Sequence, residues 1–258
     1  MSNNTVLKCE HLRVVFGGLA SVSDFSIEVH EKEIAGLIGP NGAGKTTVFN
    51  LLTGVYVPTS GKIFLDGKDL DGMSTIQRSH AGIARTFQNI RLFKELSVLD
   101  NVLVGLNREI KYNTAAAVLR LPVYWAQEKR ARVKALELLS IFDMQDIADV
   151  KAGNLPYGAQ RRLEIVRALA TNPKILLLDE PAAGMNPAET TALMETIELI
   201  RNRFGIAILL IEHDMSLVMG ICENITVLNF GEVIARGNAA EIQNNPFVVE
   251  AYLGKRGD

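Results

Sequence analysis

Ile34-Ala35-Gly36-Leu37-Ile38-Gly39-Pro40-Asn41-Gly42-Ala43-Gly44-Lys45-Thr46-Thr47-Val48 decides how this chain is read. Ile34, Leu37 and Ile38 form a short apolar run, the pattern of a buried strand. Gly39–Thr46 then fits G-x-x-x-x-G-K-[ST], a phosphate-binding loop, and from Thr46 onward the spacing of Val48, Leu51 and Leu52 is helical. Glycines let successive backbone N–H groups turn around an anion without Cβ clashes, and the helix that follows aims its positive end at the same anion. In that geometry Lys45 bridges the β- and γ-phosphates and the Thr46 hydroxyl ligates Mg²⁺. An ordinary glycine turn is the competing reading; at average residue frequencies roughly one chain in a hundred matches by chance. The candidate nucleotide site comprises Gly39, Pro40, Asn41, Gly42, Ala43, Gly44, Lys45, Thr46 and Thr47.

Working outward, Ile175–Glu180 is an apolar strand that ends in two carboxylates, Asp179 and Glu180. Ligands of parallel α/β sheets gather at the C-terminal ends of the strands, so this edge coincides with the phosphate loop and brings Asp179 toward the Mg²⁺. Ile206–Ile211 is a second core strand, followed by Glu212-His213-Asp214. His213 can face the same phosphates from there, or serve as an ordinary solvated histidine. Ile83–Gln88 is strand-like and ends in the polar Gln88. Toward the N-terminus, Val6–Glu10 leads into two alternating segments, Leu12/Val14/Phe16 and Phe25/Ile27/Val29, as in half-buried antiparallel strands. Phe16 stands beside the Gly17-Gly18 break, suited to stacking on a base or to a place in the core.

Lys62–Leu65 is a further strand, closed by the turn dipeptide Asp66-Gly67. Asp69–Gly72 matches the D-x-x-G of GTPases, but no Asn-Lys-x-Asp accompanies it, so a polar turn is the better reading. From Ser97 to Ser140 the pattern is helical and interrupted at Pro122, with Val133, Leu136, Leu139 and Phe142 recurring every three residues. Tyr124 and Trp125 read as core anchors or contact residues. Asn154–Gly158 opens a helix that carries Leu163, Val166 and Leu169 on one face and stops at Asn172-Pro173. Ala188–Arg201 is another helix, Ile225–Leu228 and Glu232–Ala235 are strands, and Asn238–Glu241 reads as a capping box.

The bulk numbers exclude several classes. The 258 residues are 48% hydrophobic and 22% charged, an ordinary globular balance, and the formal net charge of −2 offers no basic field for nucleic acid. The longest aliphatic run is too short to span a bilayer, and Met1–Thr5 lacks the regions of a signal peptide. The expected location is cytosolic, with any membrane role supplied by a partner. Cys9 and Cys222 have no metal or redox spacing and read as reduced thiols. With no repeat and no linker, one compact unit is expected across 1–258, its core at about 1–88 and 160–258 and a helical insertion at about 89–159.

The ordered set Gly39–Thr46, Gln88, Leu155–Gln160, Ile175–Glu180 and His213 resembles the ATP-binding subunit of ABC transporters: Walker A, Q-loop, signature, Walker B and switch histidine. Closer similarity to the branched-chain amino acid importers lies in Arg85-Thr86-Phe87-Gln88, Arg91-Leu92-Phe93, Tyr157-Gly158, Glu180–Pro187, Ile211–Met215 and Ala251–Gly254. The resemblance implies an α/β fold with a P-loop, RecA-like parallel core, an N-terminal antiparallel β-subdomain and an inserted α-helical subdomain. It implies ATP and Mg²⁺, with Phe16 on adenine and Thr46, Gln88 and Asp179 around the metal. Glu180 then polarises the attacking water, with Gln88 and His213 as the other catalytic groups. Leu155, Tyr157 and Gly158 form a signature acting in trans; Pro156 and Ala159 replace its usual Ser and Gln, which leaves backbone groups near Gly158 and the helix dipole. Asn186 replaces the usual D-loop aspartate.

The implied partners are a second ABC ATPase subunit, identical or different, two membrane permeases and, indirectly, an extracytoplasmic solute-binding protein, with the chain peripheral to the cytoplasmic face of the inner membrane. Nucleic acid is not among the partners. An exporter or lipopolysaccharide-extracting ATPase is the closest alternative. A soluble ABC-type ATPase acting on nucleic acid would need a second cassette or a coiled coil, and a P-loop kinase or GTPase would need base-reading and acceptor motifs.

Overall fold

A computed structural model describes residues 4–107 and 118–253. They fall into two compact units, one formed by the residues up to Gln88 together with those from Lys174 onward, the other by Asn89–Pro173.

The first unit is built on β1 (Thr5–Phe16), β2 (Leu19–His30), β3 (Ile34–Ile38), β4 (Ser60–Leu65), β5 (Lys68–Asp69), β6 (Ile83–Arg85), β7 (Ile175–Asp179), β8 (Ala207–Ile211), β9 (Asn224–Asn229) and β10 (Glu232–Gly237). These strands join in the order β5-β4-β1-β2-β10-β9-β3-β8-β7-β6. From β9 to β6 every pairing is parallel. β3, β7 and β8 are buried at every position, which is why they are apolar throughout rather than alternating. β1, β2, β4 and β5 pair antiparallel and alternate, with Leu7, Cys9, Leu12 and Val14 of β1 turned inward.

The sequence reading splits β1 in two at His11. The structure keeps one strand, with a register shift between Cys9 and Leu12 and His11 at φ +48°. Gly17 and Gly18, both at positive φ, make the two-residue turn into β2, as a hairpin with right-handed strand twist requires. One core cluster runs from β1 and β2 through Val48, Phe49, Leu51 and Leu52 to Leu177 of β7 and Leu209 of β8. Each such side chain contributes about 1.5–3 kcal/mol on burial, and together they fix the strand ends that carry the site.

The helices, numbered in chain order, are α1 (Lys45–Leu52) and α2 (Thr75–Ala81) of the first unit, then α3 (Val98–Leu106), α4 (Pro122–Ile141) and α5 (Tyr157–Leu169) of the second. The first unit resumes with α6 (Pro187–Phe204), α7 (Met215–Ile221), α8 (Ala239–Gln243) and α9 (Pro246–Leu253). Pro122 does not merely interrupt the helical stretch: it is the first residue of α4, where its missing N–H costs nothing. The buried face of α4 is Ala135, Leu138 and Leu139, followed by Phe142. Val133 is exposed, which corrects its place on the expected apolar face, and Trp125 is exposed too, edge-on to Tyr124. On α5 the predicted face of Leu163, Val166 and Leu169 is buried.

Candidate nucleotide site

The loop between β3 and α1 is held by contacts that only glycine permits. Gly39 has φ +152°, and a Cβ there would lie 2.0 Å from the Leu228 carbonyl oxygen of β9. Gly44 has φ +106°, and its Cβ would lie 2.7 Å from the Ser21 carbonyl oxygen of β2. Gly42 also has positive φ but faces open space. The loop is further pinned by Gly231 N–H, which donates to the Ala43 carbonyl at 2.9 Å. Among the described residues no side chain caps α1, so its first N–H groups remain available to an anion.

Lys45 is buried, and its Nζ donates to the Gly39 and Pro40 carbonyls at 2.7 and 3.0 Å, folding the amine over the loop. Burial pulls its pKa below the usual lysine value, against the charges of Glu180 and Asp179. Thr46 is exposed, and the Thr47 hydroxyl lies 2.9 Å from that of Ser21. Phe16, 46% exposed, stands edge-on to Tyr56 with ring centroids 5.0 Å apart, on the hairpin whose Ser21 backs the loop.

Strand register brings the other residues to the same sheet edge. Leu37 of β3 pairs with Ile211 of β8, and Ile211 pairs with Asp179 of β7. Asp179 is buried, its Oδ2 accepting from Arg85 Nη2 at 2.6 Å. Glu180 sits in the left-handed region at φ +46°, a backbone cost of about 1–2 kcal/mol for a residue with a Cβ. Its N–H donates to the Ile211 carbonyl at 2.9 Å, and its Oε2 accepts from Gln88 Nε2 at 2.7 Å. His213 Nδ1 lies 3.8 Å from the same oxygen, with the imidazole 58% exposed and the Glu180 side chain 19% exposed.

Three residues of this unit received no role from the sequence. Glu212 is buried, and its carboxylate accepts from the Ala182, His213 and Asp214 N–H groups at 2.7, 3.0 and 3.3 Å. It ties the turn after Glu180 to the start of the His213 segment. Burial pushes its pKa up while those N–H groups pull it back. Tyr252, near the end of α9, has its hydroxyl on the Gly39 N–H; burial raises its pKa and that bond opposes the rise. Arg85 is the third. All three lie in segments that carry the family resemblance, Arg85–Gln88, Ile211–Met215 and Ala251–Gly254, but that resemblance gives none of them a role.

Leu155, Tyr157 and Gly158 belong to the second unit. Leu155 is buried and Tyr157 is exposed where α5 begins, with Pro156 as the residue before the first turn. Gln160 Nε2 donates to the Leu155 carbonyl at 2.8 Å. Behind this start lies a fully buried pair, Arg161 Nη1 to Glu164 Oε2 at 2.9 Å, and Glu164 also accepts from Arg91 N–H at 3.0 Å. Arg167 lies over the Phe93 ring at 5.5 Å, so the Arg91-Leu92-Phe93 run is fastened to α5 at both ends. Asn186 caps α6 and forms a capping box with Glu189.

A backbone cradle for phosphate, a lysine held within it, and two carboxylates, an amide and an imidazole on adjoining strand ends make up the equipment for nucleoside triphosphate hydrolysis. The oxygen donors present, a buried carboxylate and an exposed threonine hydroxyl, also suit a hard divalent cation such as Mg²⁺. The chain belongs to the ABC transporter ATP-binding family, whose model matches residues 22–183. It is an ATPase cassette, and subunits of this kind work with membrane permeases.

A second model, the branched-chain amino acid ATP-binding cassette transporter, matches residues 232–258. The high-affinity branched-chain amino acid transport ATP-binding protein LivG of Salmonella typhimurium is 48% identical over 97% of this chain and 98% of its own. BraF of Pseudomonas aeruginosa, with the same description, is 45% identical over the same shares. The crystal structure of the ADP conformation of an ATP-binding cassette of an ABC transporter superposes with TM-score 0.85 at 30% identity, covering 97% of this chain and 99% of that one.

Proposed function

We propose that this chain binds and hydrolyses ATP to power uptake of branched-chain amino acids through membrane permeases. The observation that carries the chemistry is the meeting of the Gly39–Gly44 loop with Asp179, Glu180, Gln88 and His213 at one sheet edge. The solute assignment is supported by the identity to LivG and BraF along almost the whole chain and by the branched-chain model at its C-terminal end.

In this reading the amides of residues 39–46 and the α1 N-terminus hold the phosphates, Lys45 leaves its loop carbonyls for the β- and γ-phosphate oxygens, and Phe16 stacks on adenine. Thr47 joins the phosphate contacts. Thr46, Asp179 and Gln88 hold Mg²⁺, which when bound neutralises charge on the transferring phosphoryl group. Glu180 orients and polarises the attacking water, kept in place by Gln88 until nucleotide arrives, and His213 contacts the γ-phosphate. The signature residues Leu155, Tyr157 and Gly158 serve the ATP of a second cassette subunit, identical or different. Two permeases and an extracytoplasmic binding protein complete the assembly, with this chain on the cytoplasmic face of the inner membrane; among the described residues no helix is long and apolar enough to cross it. The single-cassette division into a nucleotide-binding core and an inserted helical subdomain is part of the same reading.

Glu180→Gln is expected to keep ATP binding and to lose at least about a hundredfold in turnover, the scale of a lost catalytic polar group. Near-normal ATPase activity in that variant would remove Glu180 from the role. For the solute, permeases co-purified with the chain should show ATPase activity stimulated by leucine with its binding protein; indifference to leucine, isoleucine and valine would refute that part.

A further inference from the structure

Arg85 closes β6, three positions before Gln88, and takes no part in the phosphate or water chemistry described so far. Its guanidinium reaches two elements at once: Nη2 donates to Asp179 Oδ2 at 2.6 Å and Nη1 to Asn50 Oδ1, on α1, at 2.7 Å. The Arg85 and Asp179 side chains are each only 7% exposed. The guanidinium carbon stands 5.4 Å from the centre of the Phe49 ring and 5.1 Å from that of Phe87. Its backbone is fixed as well, since Arg85 pairs with Leu177 of β7 and Thr86 N–H donates to the Leu177 carbonyl at 3.0 Å.

Burying a guanidinium and a carboxylate is expensive, and the pair persists only where geometry recovers the desolvation cost. Here a planar fork spans two acceptors, and two aromatic rings confine it; an ammonium can do neither as well. One carboxylate oxygen of Asp179 is therefore fixed by a charge-assisted bond before any metal arrives. Without Arg85 that oxygen would lose its fixed donor and Asp179 its brace to α1, so the carboxylate would have to be ordered by the metal itself.

We propose that Arg85 is a positioning residue for the metal-side carboxylate: it presets Asp179, braces it against α1 through Asn50, and ties both to the strand that leads into Gln88. This rests on the reading that Asp179 faces the Mg²⁺ of bound ATP. Arg85 acts through Asp179 and touches neither nucleotide nor water.

The test uses the full chain carrying Glu180→Gln, so that nothing is hydrolysed, with and without Arg85→Met. Mn²⁺ affinity in the presence of ATP is read by electron paramagnetic resonance, and ATP affinity in EDTA by calorimetry. Arg85→Met should weaken Mn²⁺ binding by about tenfold or more, the scale of outer-shell partners, and leave metal-free ATP affinity within about twofold. Asn50→Ala should give a smaller loss of Mn²⁺ affinity. Arg85→Lys, which keeps the charge but not the fork, should lose at least about threefold, and it carries the test if the methionine variant fails to fold. Unchanged Mn²⁺ affinity overturns the proposal. Tighter Mn²⁺ binding overturns it too, because Arg85 would then be a competitor of the metal. A parallel fall in metal-free ATP affinity means a distorted loop instead. Failure of the Glu180→Gln parent to bind Mn²⁺ and ATP at all refutes the underlying site reading and not only the role of Arg85.

Discussion

Gly39→Ala tests whether the phosphate loop is wedged against β9. An added Cβ would meet the Leu228 carbonyl oxygen at 2.0 Å, whereas ordinary contact begins at 3.4 Å, so loop or strand must move by roughly 1.4 Å. Neither can yield cheaply: β9 is paired to β3 through Ala35, Gly36, Leu37 and Ile38, and β3 is buried at every position. Overpacking of this kind costs about 1–3 kcal/mol, and the positive φ adds about 1–2 kcal/mol. Gly42→Ala is the internal control, since φ is +81° but no atom lies within 4 Å of its Cβ. It should cost only the conformational 1–2 kcal/mol or so. Urea unfolding should thus separate the two variants by about 1–3 kcal/mol in the order Gly39 worse than Gly42. A displacement above an ångström in a loop that must grip a triphosphate should also lower ATP affinity by about a hundredfold in Gly39→Ala. Equal unfolding midpoints for the two variants, or native ATP affinity in Gly39→Ala, would refute the argument from close approach.

Two further outcomes are expected. Cys222, whose pKa burial pushes up to about 12, and Cys9, pushed higher still, should both resist a disulfide reagent at pH 8 in the folded chain and react after denaturation; rapid native labelling would contradict their burial. Asp214 caps α7 by accepting from Ser216 N–H, the Ser216 hydroxyl and Leu217 N–H, so Asp214→Ala should cost about 1 kcal/mol. The Ser216 hydroxyl bond, with the two N–H bonds, holds the folded pKa of Asp214 below 3.8, so its stabilisation is present above that pH and is lost as pH falls through the lower, folded value. A deficit that grows below pH 4 would refute the sign.

Elements whose cause is local were legible before the structure. The loop and the strand ends at Asp179 and His213 follow from glycine spacing and from unbroken apolar runs, both properties of a few adjacent residues. Asp66-Gly67 turns as its dipeptide dictates, with both residues at positive φ. Strand length was less legible: β1 reads as two strands because His11 breaks the alternation, and only the partner strands β2 and β4 carry the pairing across it. On α4 a spacing of three fits Val133 as well as Leu139, and the choice between them is made by packing that the pattern does not contain. Helix α5 follows the motif that opens it, but its packing places it with α3 in the second unit rather than with the core to which a linear reading assigns it.

What stayed hidden shares one physical character. Arg85, Glu212, Arg161 and Glu164 are charged residues with almost no exposure, and neither composition nor periodicity separates them from surface charges. A charge enters such a place only when its partner is already fixed there; Arg161 finds its partner Glu164 on its own helix, but the others reach a different segment: Asp179 and Asn50 for Arg85, Ala182 for Glu212, Arg91 for Glu164. These bonds join the residue sets that a motif search finds one at a time. In the first unit they connect α1, β6, β7 and the His213 turn; in the second they connect the Arg91 run to the helix behind Tyr157 and Gly158. On the proposed reading the motifs mark where nucleotide chemistry takes place, and the buried charges are the bonds that hold one motif to the next. Loss of a buried charge should therefore disturb the spacing of two motifs together, whereas loss of an exposed motif side chain such as His213 should leave the geometry of the others intact.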